Sequence, residues 1–149
     1  MAKNDRKAKG ARPRTLCADF IREMWQLFPE LRTALLRDGR SSRKPMKTPD
    51  EECLPEQMGA YLEAASLARL VNRSLRQGHT HIAKTGLHLV EKYLALDHDK
   101  LLGSALDCDF LEVLDLRLPG GHELFDAGTQ AFKTRYIAAQ NYIGKDFGP

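Results

Sequence analysis

The segment that decides the fold is residues 55–77, which read PEQMGAYLEAASLARLVNRSLRQ. Apolar side chains recur in it at helical spacing. They form one stripe, which consists of Met58, Tyr61, Leu62, Ala65, Ala68, Val71 and Leu75. Ala64, Leu67 and Leu70 widen this stripe beyond the arc that a single packing face requires. A helix that is apolar over so much of its circumference packs on two sides, so we predict that it is the central helix.

Helical spacing of apolar residues continues on both sides of this central segment. Thr15 is predicted to cap the first helix, and Pro29 is predicted to end it and to begin the second. The predicted helices cover residues 15–28, 29–37, 55–77, 80–96, 97–116 and 123–142. Residues 38–53 contain two Pro, two Ser and one Gly, which predicts a long polar loop.

The fold class that these patterns predict is all-α, with about six helices in one domain over residues 15–149. Runs of alternating β-branched residues, the signal of strands, are absent from the sequence. Short connections after the third helix favour antiparallel neighbours, arranged as a helical bundle or as a degenerate HEAT-like stack of helical hairpins. The side chains expected to be buried in the last two helices are Leu102, Leu106, Phe110, Val113, Leu114, Phe125, Phe132, Tyr136, Ile137 and Tyr142.

Positive charge is concentrated at the start of the chain. Residues 1–14 carry six Lys or Arg and one Asp, a net charge of +5, whereas the remainder carries 17 Lys or Arg and 19 Asp or Glu. Since this segment has no large apolar residue after Met1, we predict a disordered basic tail. Such a tail is typical of a solubilising chain end, and it is also able to touch nucleic acid or an acidic partner.

Negative charge is concentrated in the predicted fifth helix. Six carboxylates lie within 19 residues that contain only Lys100 as an opposite charge: Asp97, Asp99, Asp107, Asp109, Glu112 and Asp115. At 100° per residue, several of them share the side opposite Leu102, Leu106 and Phe110. One interpretation is a solvated helix face. The other is a docking surface for a basic protein, which would relieve the repulsion among like charges.

Signals for catalysis, for metal binding and for a bound cofactor are weak. Cys17, Cys53 and Cys108 are scattered without a CxxC pair, which predicts reduced thiols in the cytoplasm. His81 and His88 lie seven residues apart, not at the three- or four-residue spacing of helical metal ligands. No apolar run approaches the ~20 residues that span a bilayer. We therefore expect a protein that is not an enzyme and has no cofactor, metal, membrane or small-molecule partner.

Four short segments carry a resemblance to a known class of protein. They are Phe28-Pro29-Glu30-Leu31, Gln57-Met58-Gly59, Leu89-Val90-Glu91-Lys92 and Phe110-Leu111-Glu112-Val113-Leu114. Together they resemble the small all-α bacterial immunity proteins found beside contact-dependent inhibition systems and other polymorphic toxins. The resemblance spans roughly residues 16–118.

The resemblance implies a cytoplasmic protein that binds and neutralises a cognate toxin domain. Many such toxins are nucleases, whose active sites are basic because they attract phosphates. The acidic cluster has the complementary charge. The alternative is a helical regulator that contacts nucleic acid through its basic tail. The nearest approach to a recognition set for that role consists of Arg69, Asn72, Arg73 and Arg76.

Overall fold

The protein is built from helices in the residues that the computed structural model describes, which are 15–32, 48–53, 59–96 and 100–147. Within these ranges there is no strand, and the predicted all-α fold is confirmed. In chain order the elements are α1 (Leu16–Leu27), α2 (Pro49–Glu52), α3 (Gly59–Arg76), α4 (Thr80–Leu96), α5 (Lys100–Ala105), a π-helix (Leu106–Leu111), α6 (Gly121–Ala127) and α7 (Gln130–Tyr142). The predicted basic tail, residues 1–14, lies outside the described residues. None of the described helices is both long and apolar enough to cross a membrane.

Helix α3 is the central element, as its wide apolar arc predicted. It packs against α1, α2, α4, α5 and the π-helix. Leu67, Val71 and Leu75 are fully or almost fully buried. Gly86 lets α4 approach closely, since a Cβ atom there would lie 2.8 Å from Cγ2 of Val71. The buried surface of α3 thus holds most of the other helices in place.

The first helix begins where the sequence predicts. Thr15 is its N-cap, and the Thr15 hydroxyl accepts a hydrogen bond of 3.1 Å from the backbone N–H of Ala18. The polar-loop prediction is wrong at residues 49–52, which form α2. Pro49 suits the first helical position because its missing N–H has no role there.

Two of the three cysteines are joined, which contradicts the prediction of three reduced thiols. Cys17 of α1 and Cys53, just after α2, form a disulfide with Cα atoms 6.0 Å apart. Cys108 is free and exposed. The pairing escapes sequence analysis because the two cysteines are separated by 36 positions and meet only when α2 packs on α1.

The predicted fifth and sixth helices differ from the structure in their ends and their exposed faces. The fifth passes into a π-helix and ends at Leu111, and the sixth is split at residues 128–129, where Thr129 caps α7. Val113 and Ile137 are each 38% exposed and Tyr142 is 84% exposed, so their predicted burial is wrong. A π-helix turns less per residue than the assumed 100°, which changes the phase of the side chains that follow it.

Candidate docking site

The π-helix directs its carboxylates outward while it anchors itself in the core. Its sequence is LDCDFL, in which Leu106, Phe110 and Leu111 are buried. Asp107 and Asp109 are half-buried and Cys108 is exposed. Segments of π-helix occur frequently at functional sites.

Buried amides hold the chain that leaves the π-helix. The Asn72 side chain donates a hydrogen bond of 3.0 Å to the Val113 carbonyl and accepts one of 2.8 Å from the Asp115 N–H. The Gln140 side chain, which is 1% exposed, donates to the Leu111 carbonyl at 2.8 Å. These contacts give partners to backbone groups that a helix end leaves unsatisfied.

The Tyr136 hydroxyl completes this support from α7. It donates to the Leu114 carbonyl at 3.1 Å and accepts from the Leu116 N–H at 3.0 Å. Tyr136 is fully buried, and burial raises the pKa of its hydroxyl, which remains a donor at neutral pH. The acidic segment is therefore positioned by α3 and α7 together.

Replacing Gln140 by Met is expected to lower the free energy of unfolding by about 1–3 kcal/mol, because buried carbonyls lose their donor. Urea unfolding followed by circular dichroism measures the loss. The matched control is Gln130→Met on the same helix, where the side chain is exposed and donates a hydrogen bond of 3.2 Å to Thr134. That control is expected to change stability by less than about 0.5 kcal/mol. Equal effects of the two substitutions would contradict the role assigned to Gln140.

The six predicted docking carboxylates have different surroundings in the structure. Asp97 and Asp99 lie outside the described residues. Asp107 accepts two hydrogen bonds from the Arg135 guanidinium, at 2.9 and 3.1 Å. Asp115 forms an ion pair of 3.1 Å with Arg117. The charge that compensates Asp107 therefore comes from α7 through tertiary structure, whereas Arg117 lies only two positions after Asp115 in the sequence.

Asp109 and Glu112 both have a raised pKa, but the charges around the two carboxylates differ. Burial raises the pKa of Asp109, while the nearby Arg69 lowers it. Burial also raises the pKa of Glu112, and repulsion from Asp109 and Asp107 raises it further. Among the described residues, no cation forms an ion pair with Glu112. Glu112 is thus the carboxylate with the least compensation in this cluster.

A cleft of about 340 Å³ lies between the π-helical segment and α7. The Asp107–Arg135 ion pair forms part of its lining, and the other lining residues are Cys108, Glu112, Ala138, Ala139 and Tyr142. We call this feature the docking cleft. Its lining combines two alanines and the exposed side chain of Tyr142 with Glu112, which forms no ion pair among the described residues.

The thiol of Cys108, which lines the docking cleft, has low reactivity as a nucleophile. Burial raises the pKa of Cys108, and the negative charges of Glu112, Asp109 and Asp107 raise it further. A thiol with a raised pKa is a poor nucleophile at neutral pH, since the thiolate is the reactive form. Across the described ranges, no group of three His, Cys, Asp or Glu side chains is placed to hold a metal ion. His81 and His88 are exposed.

The residues considered for nucleic-acid recognition have different surroundings in the structure. Asn72 is 7% exposed and its side chain is hydrogen-bonded to the backbone after the π-helix, whereas Arg69, Arg73 and Arg76 are exposed.

No family model, curated protein or solved structure matches the chain. The resemblance to toxin-immunity proteins therefore rests on the sequence segments quoted above.

Proposed function

We propose that this protein is an immunity protein that binds a basic toxin domain through the docking cleft and the adjacent carboxylates. The single observation that carries the proposal is Glu112, an uncompensated carboxylate at the edge of an apolar cleft. It acts by occupying a surface of the toxin and performs no reaction of its own. Its place of action is the cytoplasm of the cell that produces the toxin.

Charge supports a basic partner. Asp109 and Glu112 lie within four positions of each other on a segment held rigidly by Asn72 and Gln140. Burial raises the pKa of Glu112 and repulsion from Asp109 and Asp107 raises it further, so the charged carboxylate is less well stabilised than that of a free glutamate in water. A Lys or Arg from a partner would remove that repulsion. Long-range attraction of this kind speeds association and lowers affinity for acidic competitors.

Exposed apolar surface supports a protein as the partner. Tyr142 is 84% exposed on the last turn of α7, and Ala138 and Ala139 lie one turn before it in the same cleft. Tyrosines are enriched among the residues that dominate protein interfaces, because the ring buries a large area and the hydroxyl remains hydrated. Val113, two positions after the π-helix, and Ile137 of α7 add further exposed apolar area.

Charge reversal at Glu112 tests the proposal. We expect Glu112→Lys to weaken binding of the cognate toxin domain by about 100-fold, because juxtaposed like charges cost several kcal/mol. Most of the change is expected in the association rate, and binding of the unaltered protein is expected to weaken as salt increases. Surface plasmon resonance at several salt concentrations measures both effects.

The matched control is Glu123→Lys, which makes the same charge change on an exposed residue of α6. It is expected to leave the dissociation constant within about twofold of the original, since distant exposed charges are screened. Asp107 and Asp115 are unsuitable for this test because each has an arginine partner within the chain. Glu112→Lys protein that is folded by circular dichroism and still binds the toxin fully would overturn the proposal.

A further inference from the structure

We infer that the docking cleft accepts one arginine side chain, whose guanidinium group pairs with Glu112 and stacks on Tyr142 while its methylene groups lie on Ala138 and Ala139. This inference rests on the proposed function for the identity of the partner as a protein. Beyond that function, it specifies that the group of the partner bound in the cleft is a guanidinium.

The size of the cleft favours a side chain over a larger element. Its volume of about 340 Å³ is near the lower end of the range for small-ligand pockets, roughly 300–1,000 Å³. An α-helix, about 10–12 Å across with its side chains, would rest on the rim and insert only a side chain. A side chain with an apolar stem and a polar end suits a cleft whose lining combines two alanines with a carboxylate.

The charges in the lining leave one place for a cation. Arg135 is also in the lining, but its guanidinium is held by Asp107 through two hydrogen bonds. That pair is close to neutral overall. Glu112 then supplies the net negative charge of the lining, and a guanidinium group can engage a carboxylate through two parallel hydrogen bonds.

The aromatic residue distinguishes arginine from lysine. Tyr142 offers a largely exposed ring at the cleft. A planar guanidinium stacks on such a ring and is more weakly hydrated than an ammonium group.

The test uses the full chain and small probes. N-acetyl-arginine amide is titrated against protein with labelled alanine methyl groups, in parallel with N-acetyl-citrulline amide, which has nearly the same shape without the charge. We expect saturable shifts of the Ala138 and Ala139 signals with the arginine probe and at least about fivefold weaker binding of the citrulline probe. Equal binding of the two probes, or no saturable shift, would overturn the inference.

Variants of the lining residues make the assignment specific. Glu112→Gln and Tyr142→Ala are each expected to weaken the arginine probe by about two- to fivefold, in line with exposed ion pairs and exposed cation–π contacts. The control Glu123→Gln is expected to leave the affinity unchanged. N-acetyl-lysine amide binding as tightly as the arginine probe would contradict the stacked, bidentate arrangement.

The outcome is separable from that of the proposed function because the titration needs no toxin. Arginine binding in the cleft, together with a toxin complex unaffected by Glu112→Lys, would support this inference and overturn the proposed function. Loss of toxin binding in Glu112→Lys, without arginine binding in the cleft, would overturn this inference alone.

Discussion

Reduction of the Cys17–Cys53 disulfide is expected to lower the free energy of unfolding by about 4 kcal/mol. The bond closes a loop of 36 sequence positions, and the entropy that such a loop removes from the unfolded chain corresponds to roughly this value. The disulfide also cross-links α1 to Cys53, the residue that follows α2. Because α2 has only four residues, it is too short to be stable alone. Urea unfolding with and without dithiothreitol measures the effect.

The controls for this experiment use the other cysteine. Cys108→Ala is expected to retain the full response to reductant, whereas the double variant Cys17→Ala/Cys53→Ala is expected to show none. Three free thiols by mass spectrometry in protein purified in air would contradict the pairing. The result also bears on the cytoplasmic location proposed above, where disulfides rarely persist. A domain of typical stability, about 5–15 kcal/mol, can lose 4 kcal/mol and stay folded.

Truncation of Phe110 is expected to lower the free energy of unfolding by about 3–5 kcal/mol, the usual cost of Phe→Ala in a core. Phe110 is fully buried and belongs to the π-helix, which packs on both α3 and α7. The cavity would lie directly beneath the acidic segment. Phe110→Ala is therefore also expected to disturb the docking cleft, which we would measure as weaker binding of the arginine probe.

The control for Phe110 is Val113→Ala, three positions later, where the side chain is 38% exposed. It is expected to cost less than about 0.5 kcal/mol because little apolar area is lost from the core. Comparable destabilisation by the two substitutions would show that the helical phase through this segment differs from the structure. Chemical denaturation of both variants under identical conditions measures the two changes in the free energy of unfolding.

Local sequence patterns were sufficient for the helices that obey α-helical spacing. The predicted boundaries of α4 agree with the structure, and the N-cap at Thr15 was located because its hydroxyl bonds an N–H only three positions away. The wide apolar arc of α3 likewise predicted a central helix. Each of these features depends on neighbours along the chain, which a periodic pattern records.

The π-helix could not be predicted from α-helical spacing. Nothing in the letters LDCDFL distinguishes it from an α-helix, and its i→i+5 bonding is accompanied by support from Asn72 and Gln140, which are about 30 to 40 positions away. The 100° spacing therefore misplaced Val113. The exposure of Tyr142 was missed for a different reason: the inner side of α7 is completed by Phe132, Tyr136 and Gln140.

The sequence by itself determined that the chain is all-α, where most of its helices lie, and that six carboxylates cluster near residue 107. Tertiary structure alone decided the charge those carboxylates present, because it brings Arg135 to Asp107 and Arg69 near Asp109 while Glu112 forms no ion pair in the described chain. It also decided the Cys17–Cys53 pairing. The physical reason is the same in both cases: Coulomb energies and covalent bonds depend on separation in space, which a one-dimensional pattern does not contain.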